Sequence, residues 1–233
     1  MSAGAVLAGL RIAAARLRGG LALATLLVSV AVALLIAALE RGATPVGAAD
    51  RALTAVFRFV VPIAAVVLSG QSTGLNSLER SAWPASRYGH ARAAVGLGVV
   101  AAAALATAAL SVVVALVALL AARAGADAGA AALPLSRDVV TTSWIALASG
   151  AAYSAWLGVA ATWGRRGSGR LVFLGADLVV GGLSGAGAVF PRGLTSHLLG
   201  GEAPLGLPQA ASSAILVATT GLCLALVVVR CRD

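Results

Sequence analysis

Six long apolar stretches, separated by short polar segments, limit this chain to very few folds. Each stretch approaches the roughly 20 residues that an α-helix needs to cross a hydrocarbon core of about 30 Å. Only 11% of the residues are charged and 60% are hydrophobic, whereas about a quarter are charged in a typical soluble domain. These proportions argue against a soluble globular enzyme and exclude a disordered chain. The sequence therefore predicts an all-α membrane protein with six transmembrane helices, at about 21–39, 52–74, 93–122, 139–163, 171–190 and 210–229.

The distribution of arginine predicts how these helices are oriented. All 17 basic residues are arginine, and eleven of them lie in segments that face the cytoplasm if the N-terminus does. Only Glu79 and Asp233 oppose those eleven, whereas five acidic residues oppose the six arginines of the other segments. Because cytoplasmic loops are enriched in arginine and lysine, both termini are predicted to be cytoplasmic. The short connection that holds Arg165, Arg166 and Arg170 is predicted to serve only as a topology anchor.

Two further features restrict the chemistry of the chain. Lysine is absent, and a P-loop needs a lysine after its glycines, so the chain has no P-loop ATPase site of its own. Cys223 and Cys231 lie eight residues apart on one predicted helix, too far apart for a disulfide bond, and no metal cluster is indicated. The arginines form no compact basic surface, so no nucleic-acid partner is expected.

The residues that precede the first span, 5–18, have the pattern of a helix that lies in the membrane interface. Apolar side chains recur at helical spacing on one side, while Arg11 and Arg18, seven residues apart, lie on another. Arg16 adds a third basic residue to this segment. We therefore expect an interfacial, in-plane helix that leads into the first span.

The segment between the second and third spans, 75–92, differs from the other connections. It combines charged and aromatic residues in an otherwise apolar chain, namely Glu79, Arg80, Trp83, Pro84, Arg87 and Tyr88. Ser77 is placed to cap a short helix that Pro84 ends or redirects, and Ser86 is placed to cap a second one. Such a helix on the cytoplasmic surface suits docking into a groove of a partner protein. The alternative is a positive anchor with interfacial aromatics, which explains neither Glu79 nor the length of the segment.

This segment also resembles a known family. Ser77-Leu78-Glu79, then Pro84-Ala85-Ser86-Arg87, and then Arg92 at the start of a long apolar span are similar to the loop after span two in permease subunits of type-two ABC exporters. The remainder agrees in outline, with a basic N-terminal elbow helix, six spans, both ends inside, and a proline-containing outer segment at 191–210. The tail Arg230-Cys231-Arg232-Asp233 is similar to the short tails of that family.

The resemblance implies that membrane transport and ATP hydrolysis are carried out by different chains. The whole chain, 1–233, would be a single transmembrane permease domain that pairs with a second permease copy or a related permease chain. The loop 75–92 would be the coupling helix, which a separate ABC ATPase subunit would move when it changes conformation. ATP and magnesium would bind to that ATPase, and this chain would hold no cofactor, metal or catalytic residue. The Gly-, Ala- and Arg-rich composition without lysine favours a GC-rich bacterium, and so the bacterial cytoplasmic membrane.

Two ionisable residues lie inside predicted spans, where such groups are functional candidates. Arg58 lies about 9 Å below the outer end of span two, and Asp177 lies about as far from the inner end of span five, at 1.5 Å per residue. Arg58 either reaches up to the outer interface or lines a translocation path, whereas Asp177 favours interior hydrogen bonding or a conformational role. These residues support the main alternative function, an ATP-independent secondary transporter or channel.

Span five also contains Gly182-Leu183-Ser184-Gly185, which matches the G-x-S-G motif of rhomboid-like intramembrane proteases. His197 would be the general base, but only 13 positions separate it from Ser184. A Ser-His pair needs hydrogen-bond contact, and this connection is predicted to place His197 in the outer loop. Close packing between helices is the favoured explanation of the glycines.

Overall fold

The computed structural model describes residues 2–124, 134–183, 185 and 190–231. Of the residues described, 83% are helical and none is in a strand. A π-helical turn of five residues, Val56–Val60, joins two of the helices into one continuous rod. In chain order, the α-helices of the described part are α1 Ala3–Leu17, α2 Gly20–Ala43, α3 Ala48–Ala55, α4 Val61–Ser72, α5 Leu78–Ser86, α6 Arg92–Arg123, α7 Leu135–Ala160, α8 Gly169–Val180, α9 Pro191–Leu198 and α10 Gln209–Arg230.

Four rods in the described part of the chain are long and apolar enough to cross a membrane. They are α2, the continuous α3–α4 rod Ala48–Ser72, α6 and α10. The shortest has 22 residues, which corresponds to about 33 Å at 1.5 Å per residue. They coincide with predicted spans one, two, three and six, and they indicate a helical membrane protein.

α7 coincides with predicted span four but is less apolar than these rods. It has 26 residues, yet serine, threonine and aromatic residues interrupt its aliphatic positions. Several of these polar side chains are buried against other helices, and Ser154 Oγ donates a hydrogen bond to Thr107 Oγ1 of α6 at 2.7 Å. The polar side chains of α7 are therefore used for contacts between helices of the bundle.

Predicted span five, 171–190, is not one helix in the structure. α8 contains 12 residues and ends at Val180, which gives a length of about 18 Å, well short of a hydrocarbon core of about 30 Å. Gly181 and Gly182 follow as turn residues. Glycine is the poorest helix former after proline, so the pair ends the helix although the surrounding sequence is apolar.

The chain after α8 is held close to the end of that helix. Arg192 donates its backbone N–H to the Asp177 side chain at 3.2 Å, and its guanidinium donates to the backbone oxygen of Leu178. These two bonds fix the start of α9 beside the last turn of α8. Residues 184 and 186–189, which connect the two helices, lie outside the described residues.

α6 is the central helix of the bundle, because α1 to α5, α7 and α10 all contact it. Its contact with α7 is unusually close at two glycines. A Cβ atom on Gly150 would lie 2.8 Å from Ala108 Cα, and one on Gly158 would lie 2.6 Å from the Val100 side chain. Small residues of this kind let the backbones of membrane helices approach each other.

α1 covers most of the segment predicted as an interfacial helix, but it packs directly across α6. Its buried residues are all small, namely Ala5, Gly9 and Ala13. At the crossing, a Cβ atom on Gly9 would lie 2.1 Å from the backbone oxygen of Val95, and one on Gly98 would lie 2.1 Å from that of Val6. The alanine-rich pattern of this segment concealed that its small residues form the packed face.

α2 and α10 leave wide apolar faces uncovered by the chain itself. In α2 only Ser29, Ala33 and Ala37 are buried, while large side chains such as Leu27 and Leu35 are about 60% exposed. Lipid chains, or the helices of another membrane subunit, are the surroundings that suit such faces.

Candidate functional site

α5 has one buried and one exposed face. Its N-terminus is capped by Ser77, whose hydroxyl oxygen accepts a hydrogen bond from the backbone N–H of Arg80 at 3.5 Å. The buried residues recur at helical spacing and are Leu78, Ser81, Ala82 and Ala85. The side chains predicted to contact a partner are all exposed, namely Glu79, Arg80, Trp83, Pro84, Arg87 and Tyr88. We call these six residues, four in α5 and two directly after it, the α5 outer face.

The second short helix predicted after Pro84 does not form. α5 continues through Pro84 to Ser86, and no helix occurs within the described stretch 87–91 before α6 begins at Arg92. Ser86 Oγ donates to the backbone oxygen of Trp83 at 2.7 Å, so this hydroxyl closes α5 instead of capping a new helix. Pro84 is tolerated because it removes only one hydrogen bond near the end of a short helix.

Aromatic and charged groups are paired on the α5 outer face. The Arg87 guanidinium carbon lies 4.8 Å from the centroid of the Trp83 ring. The Trp83 side chain is 49% exposed, and Tyr88 is 85% exposed. Tryptophan, tyrosine and arginine are the residues that most often dominate the binding energy of protein interfaces, so this face has the composition of a docking surface.

Arg16 ties the buried side of α5 to α1 and α4. Its guanidinium donates hydrogen bonds to the backbone oxygen of Ser72 at 3.0 Å and to the Ser81 hydroxyl at 2.5 Å. Partial burial lowers the pKa of Arg16. The other two basic residues of this helix region, Arg11 and Arg18, are exposed. Of the three arginines singled out in the sequence, Arg16 is therefore the one that joins α1 to α5.

Arg170 joins the start of α8 to the end of α4 and the loop after it. Its side chain is 5% exposed and donates to Ser69 Oγ at 3.1 Å, Thr73 Oγ1 at 2.6 Å and the backbone oxygen of Asn76 at 3.1 Å. Burial lowers the pKa of Arg170 to about 10, so it remains cationic at neutral pH. The prediction that this arginine is only a topology anchor is wrong, because a buried group with three partners fixes the position of the segment that leads into α5.

The backbone of α5 is also bonded to α7. The Leu78 N–H donates to the backbone oxygen of Ala161, just after α7, at 3.1 Å. Together with the bonds of Arg16 and Arg170, this contact fixes α5 and the loop before it to the ends of α1, α4, α7 and α8. A force applied to the α5 outer face would therefore act on four helices at once.

The two ionisable residues inside predicted spans lie in different surroundings. Asp177 is fully buried, and it accepts hydrogen bonds from the Tyr153 hydroxyl at 2.9 Å and from the Arg192 backbone N–H. Arg58 is an exposed residue of the π-helical turn and lies beside the Phe59 ring. In the described part of the chain, no hydrogen bond or ion pair joins Arg58 to Asp177.

We predict that Asp177→Ala lowers the free energy of unfolding by about 2 to 4 kcal/mol, because the Tyr153 hydroxyl and a backbone N–H are left buried without partners. Asp177→Asn retains one acceptor oxygen and should cost only about 1 kcal/mol. Denaturant titration of the detergent-solubilised protein would measure both changes. Equal losses for alanine and asparagine would contradict the hydrogen-bonding role.

The serine–histidine pair of the protease alternative is not supported by the position of the histidine. His197 was predicted to lie in an outer loop, but it is a buried residue of α9, with Nδ1 2.8 Å from the Ser212 hydroxyl of α10. Ser184 lies outside the described residues. Nor do the described residues contain a group of three His, Cys, Asp or Glu that could hold a metal ion.

Comparisons with known proteins do not assign the chain to a family. No protein-family model matches it, and no curated protein or solved structure matches it. Its function is therefore inferred from its own residues and their contacts.

Proposed function

We propose that this chain is the permease subunit of an ATP-driven ABC transporter, an exporter, and that a separate ATPase subunit binds the α5 outer face. The observation that carries the proposal is the geometry of α5. All six side chains expected at a coupling surface are exposed, four of them on α5 and two directly after it, while the opposite side of this nine-residue helix is buried against the bundle. A helix that served only as a positive anchor would need neither the exposed Glu79 nor fixed contacts on its inner side.

In this proposal the chain converts movement of the ATPase into movement of membrane helices. Closure of the ATPase subunits on ATP and magnesium presses on the α5 outer face. The bonds of Arg16, Leu78 and Arg170 transmit that displacement to α1, α4, α7 and α8. Because packed helices shift as rigid bodies, a displacement at the cytoplasmic ends reaches the opposite side of the membrane.

The remaining parts of the proposal concern the assembly. A second permease copy, or a related permease chain, covers exposed apolar faces of the bundle, and the transport path forms between the two. With the N-terminus in the cytoplasm, two crossings, α2 and the α3–α4 rod, put α5 on the ATP-containing side. Six crossings in all would return the C-terminus to that side, and the fifth would then have to be made by the short α8 together with the residues that follow it. The complex is located in the bacterial cytoplasmic membrane.

The α5 outer face is tested by the double variant Glu79→Ala with Arg87→Ala. The tagged full chain is purified from its native membranes in a gentle detergent, bound subunits are identified, and ATP hydrolysis by the complex is measured. We expect an ATPase subunit to co-purify with the parent chain and its retention to fall on the order of tenfold or more in the variant, because arginine is enriched among interface hot spots. A complex that is retained but whose ATP hydrolysis no longer responds to the permease would support the same conclusion.

Arg137→Ala is the matched control. Arg137 is an exposed arginine in the first turn of α7, at the opposite end of that helix from the contact with α5. Loss of the ATPase subunit in this control would mean that any lost charge disrupts the complex. Repeated purification of the chain without any ATPase would overturn the proposal and favour an ATP-independent transporter.

A further inference from the structure

A cleft separate from the α5 outer face collects charged side chains from three parts of the chain. It has a volume of about 300 Å³ and is lined by Arg58 of the π-helical turn, Arg192 of α9 and Glu202 of the segment after α9. This volume lies at the lower end of the range of small-molecule sites. The cleft can therefore hold a polar head group but not an entire lipid.

The π-helical turn explains why an arginine of an apolar span lies in this cleft. Pro62 has no N–H to donate to the backbone oxygen of Arg58, four residues earlier, and its ring would clash with that oxygen in an α-helix. The helix widens instead, and the Val61 N–H bonds to the backbone oxygen of Val56, five residues earlier. The turn buries Phe57 and leaves Arg58 exposed. Such π-turns occur frequently at functional sites.

Arg192 is held in place by the structure before any ligand binds. Its backbone N–H bonds to the Asp177 side chain, and one guanidinium nitrogen bonds to the backbone oxygen of Leu178. Another guanidinium nitrogen lies beside Gly182, where a Cβ atom would be only 3.5 Å from it. A guanidinium has five N–H donors, so donors remain for a ligand in the cleft.

We propose that this cleft binds the phosphate of a phospholipid head group. The planar fork of a guanidinium matches the charge and geometry of phosphate oxygens, and two such groups line this cleft. Glu202 offers an acceptor for an ammonium group, so a zwitterionic head group fits as well as an anionic one. Arg58 belongs to a rod that is apolar enough to cross a membrane, and Phe59 and Leu183 are 47% and 59% exposed for contact with acyl chains.

This site does not depend on the proposed ATPase partner, because all its residues belong to one chain. The test therefore uses the full chain alone, purified in maltoside detergent and stripped of co-purified lipid. Native mass spectrometry measures binding of palmitoyl-oleoyl phosphatidylglycerol, the corresponding phosphatidylethanolamine, and dioleoylglycerol, which has no phosphate. Inorganic phosphate is then added as a competitor.

We expect both phospholipids to bind and dioleoylglycerol not to bind. Arg58→Ala should weaken phospholipid binding on the order of tenfold or more, because one charged hydrogen-bonding partner is lost. Arg58→Lys keeps the positive charge and should weaken phospholipid binding less than Arg58→Ala does. This second variant keeps the test valid if Arg58→Ala fails to fold. Arg137→Ala should bind like the parent chain, and Glu202→Gln should weaken binding of phosphatidylethanolamine more than binding of phosphatidylglycerol.

Two results would overturn the proposal. Phospholipid binding that is unchanged by Arg58→Ala in a folded protein would show that the cleft does not hold the head group. Displacement of the lipids by inorganic phosphate at equal concentration would show a site for soluble anions and not for lipid. Absence of an ATPase partner in native membranes would leave the lipid result unaffected, so the two proposals fail independently.

Discussion

Replacement of Gly9 by valine is expected to detach α1 from α6. A Cβ atom at this position would lie 2.1 Å from the backbone oxygen of Val95 and 3.1 Å from Gly98 Cα. Backbone atoms cannot rotate away as a side chain can, so the two helices must separate. We expect the free energy of unfolding to fall by about 3 kcal/mol or more, the upper end of the cost of overpacking.

Gly4→Val is the control for this experiment. Gly4 lies in the same helix, and a Cβ atom there would have no neighbour within 4 Å. Thermal unfolding and the size-exclusion profile of the purified protein compare the two variants. Because Arg16 bonds α1 to Ser81, protease sensitivity of α5 should also rise in Gly9→Val and not in Gly4→Val. Identical behaviour of the two variants would show that α1 does not lie against α6.

Removal of the Arg170 side chain should be similarly damaging. Arg170→Ala removes three hydrogen bonds of a charged group, two to the buried hydroxyls of Ser69 and Thr73 and one to the partly buried backbone oxygen of Asn76. A hydrogen bond to a charged group contributes about 1.5 to 3 kcal/mol, so a total loss of about 3 kcal/mol or more is expected. In the proposed complex with an ATPase subunit, the same variant should reduce the response of ATP hydrolysis to this chain.

Arg165→Ala controls for loss of positive charge from the same connection, because Arg165 is exposed. Denaturant unfolding and ATP hydrolysis are measured for both variants. If Arg165→Ala were as unstable as Arg170→Ala, the three buried hydrogen bonds would not be the cause. If Arg170→Ala were as stable as the parent chain, Arg170 would be no more than a topology anchor.

Much of the fold follows from patterns that a sequence displays openly. Length and hydropathy suffice to find α2, α6 and α10, and the exposed residues of α5 stand out because they are polar and aromatic in an apolar chain. The end of α8 at Val180 was not predictable in the same way. Residues 171–190 are apolar except for Asp177 and Ser184, so hydropathy does not distinguish one long helix from a short helix followed by a turn.

The buried contacts of the arginines could not be predicted from the sequence, for a different reason. Arg16 and Arg170 look like any other basic residue at the end of a span, and their partners lie 56 to 101 positions away. Ser69, Ser72 and Thr73 are common residues whose role appears only when the ends of several helices meet. The role of the glycines is equally hard to predict. Gly9 and Gly98 allow a close contact only because they face each other across two helices, and neither position shows this by itself.

The packing of α1 on α6 also constrains how the protein is made. Gly9 and Gly98 meet at the crossing, yet 89 residues separate them in the sequence. At a synthesis rate of about 5 to 20 residues per second, the partner surface of α1 is completed roughly 4 to 18 s after α1 itself. Two spans, α2 and the α3–α4 rod, are synthesised in this interval, so α1 can contact α4 but not α6 until the third span follows. The basic, weakly amphipathic character of α1 suits a helix that remains at the membrane surface until α6 has been made.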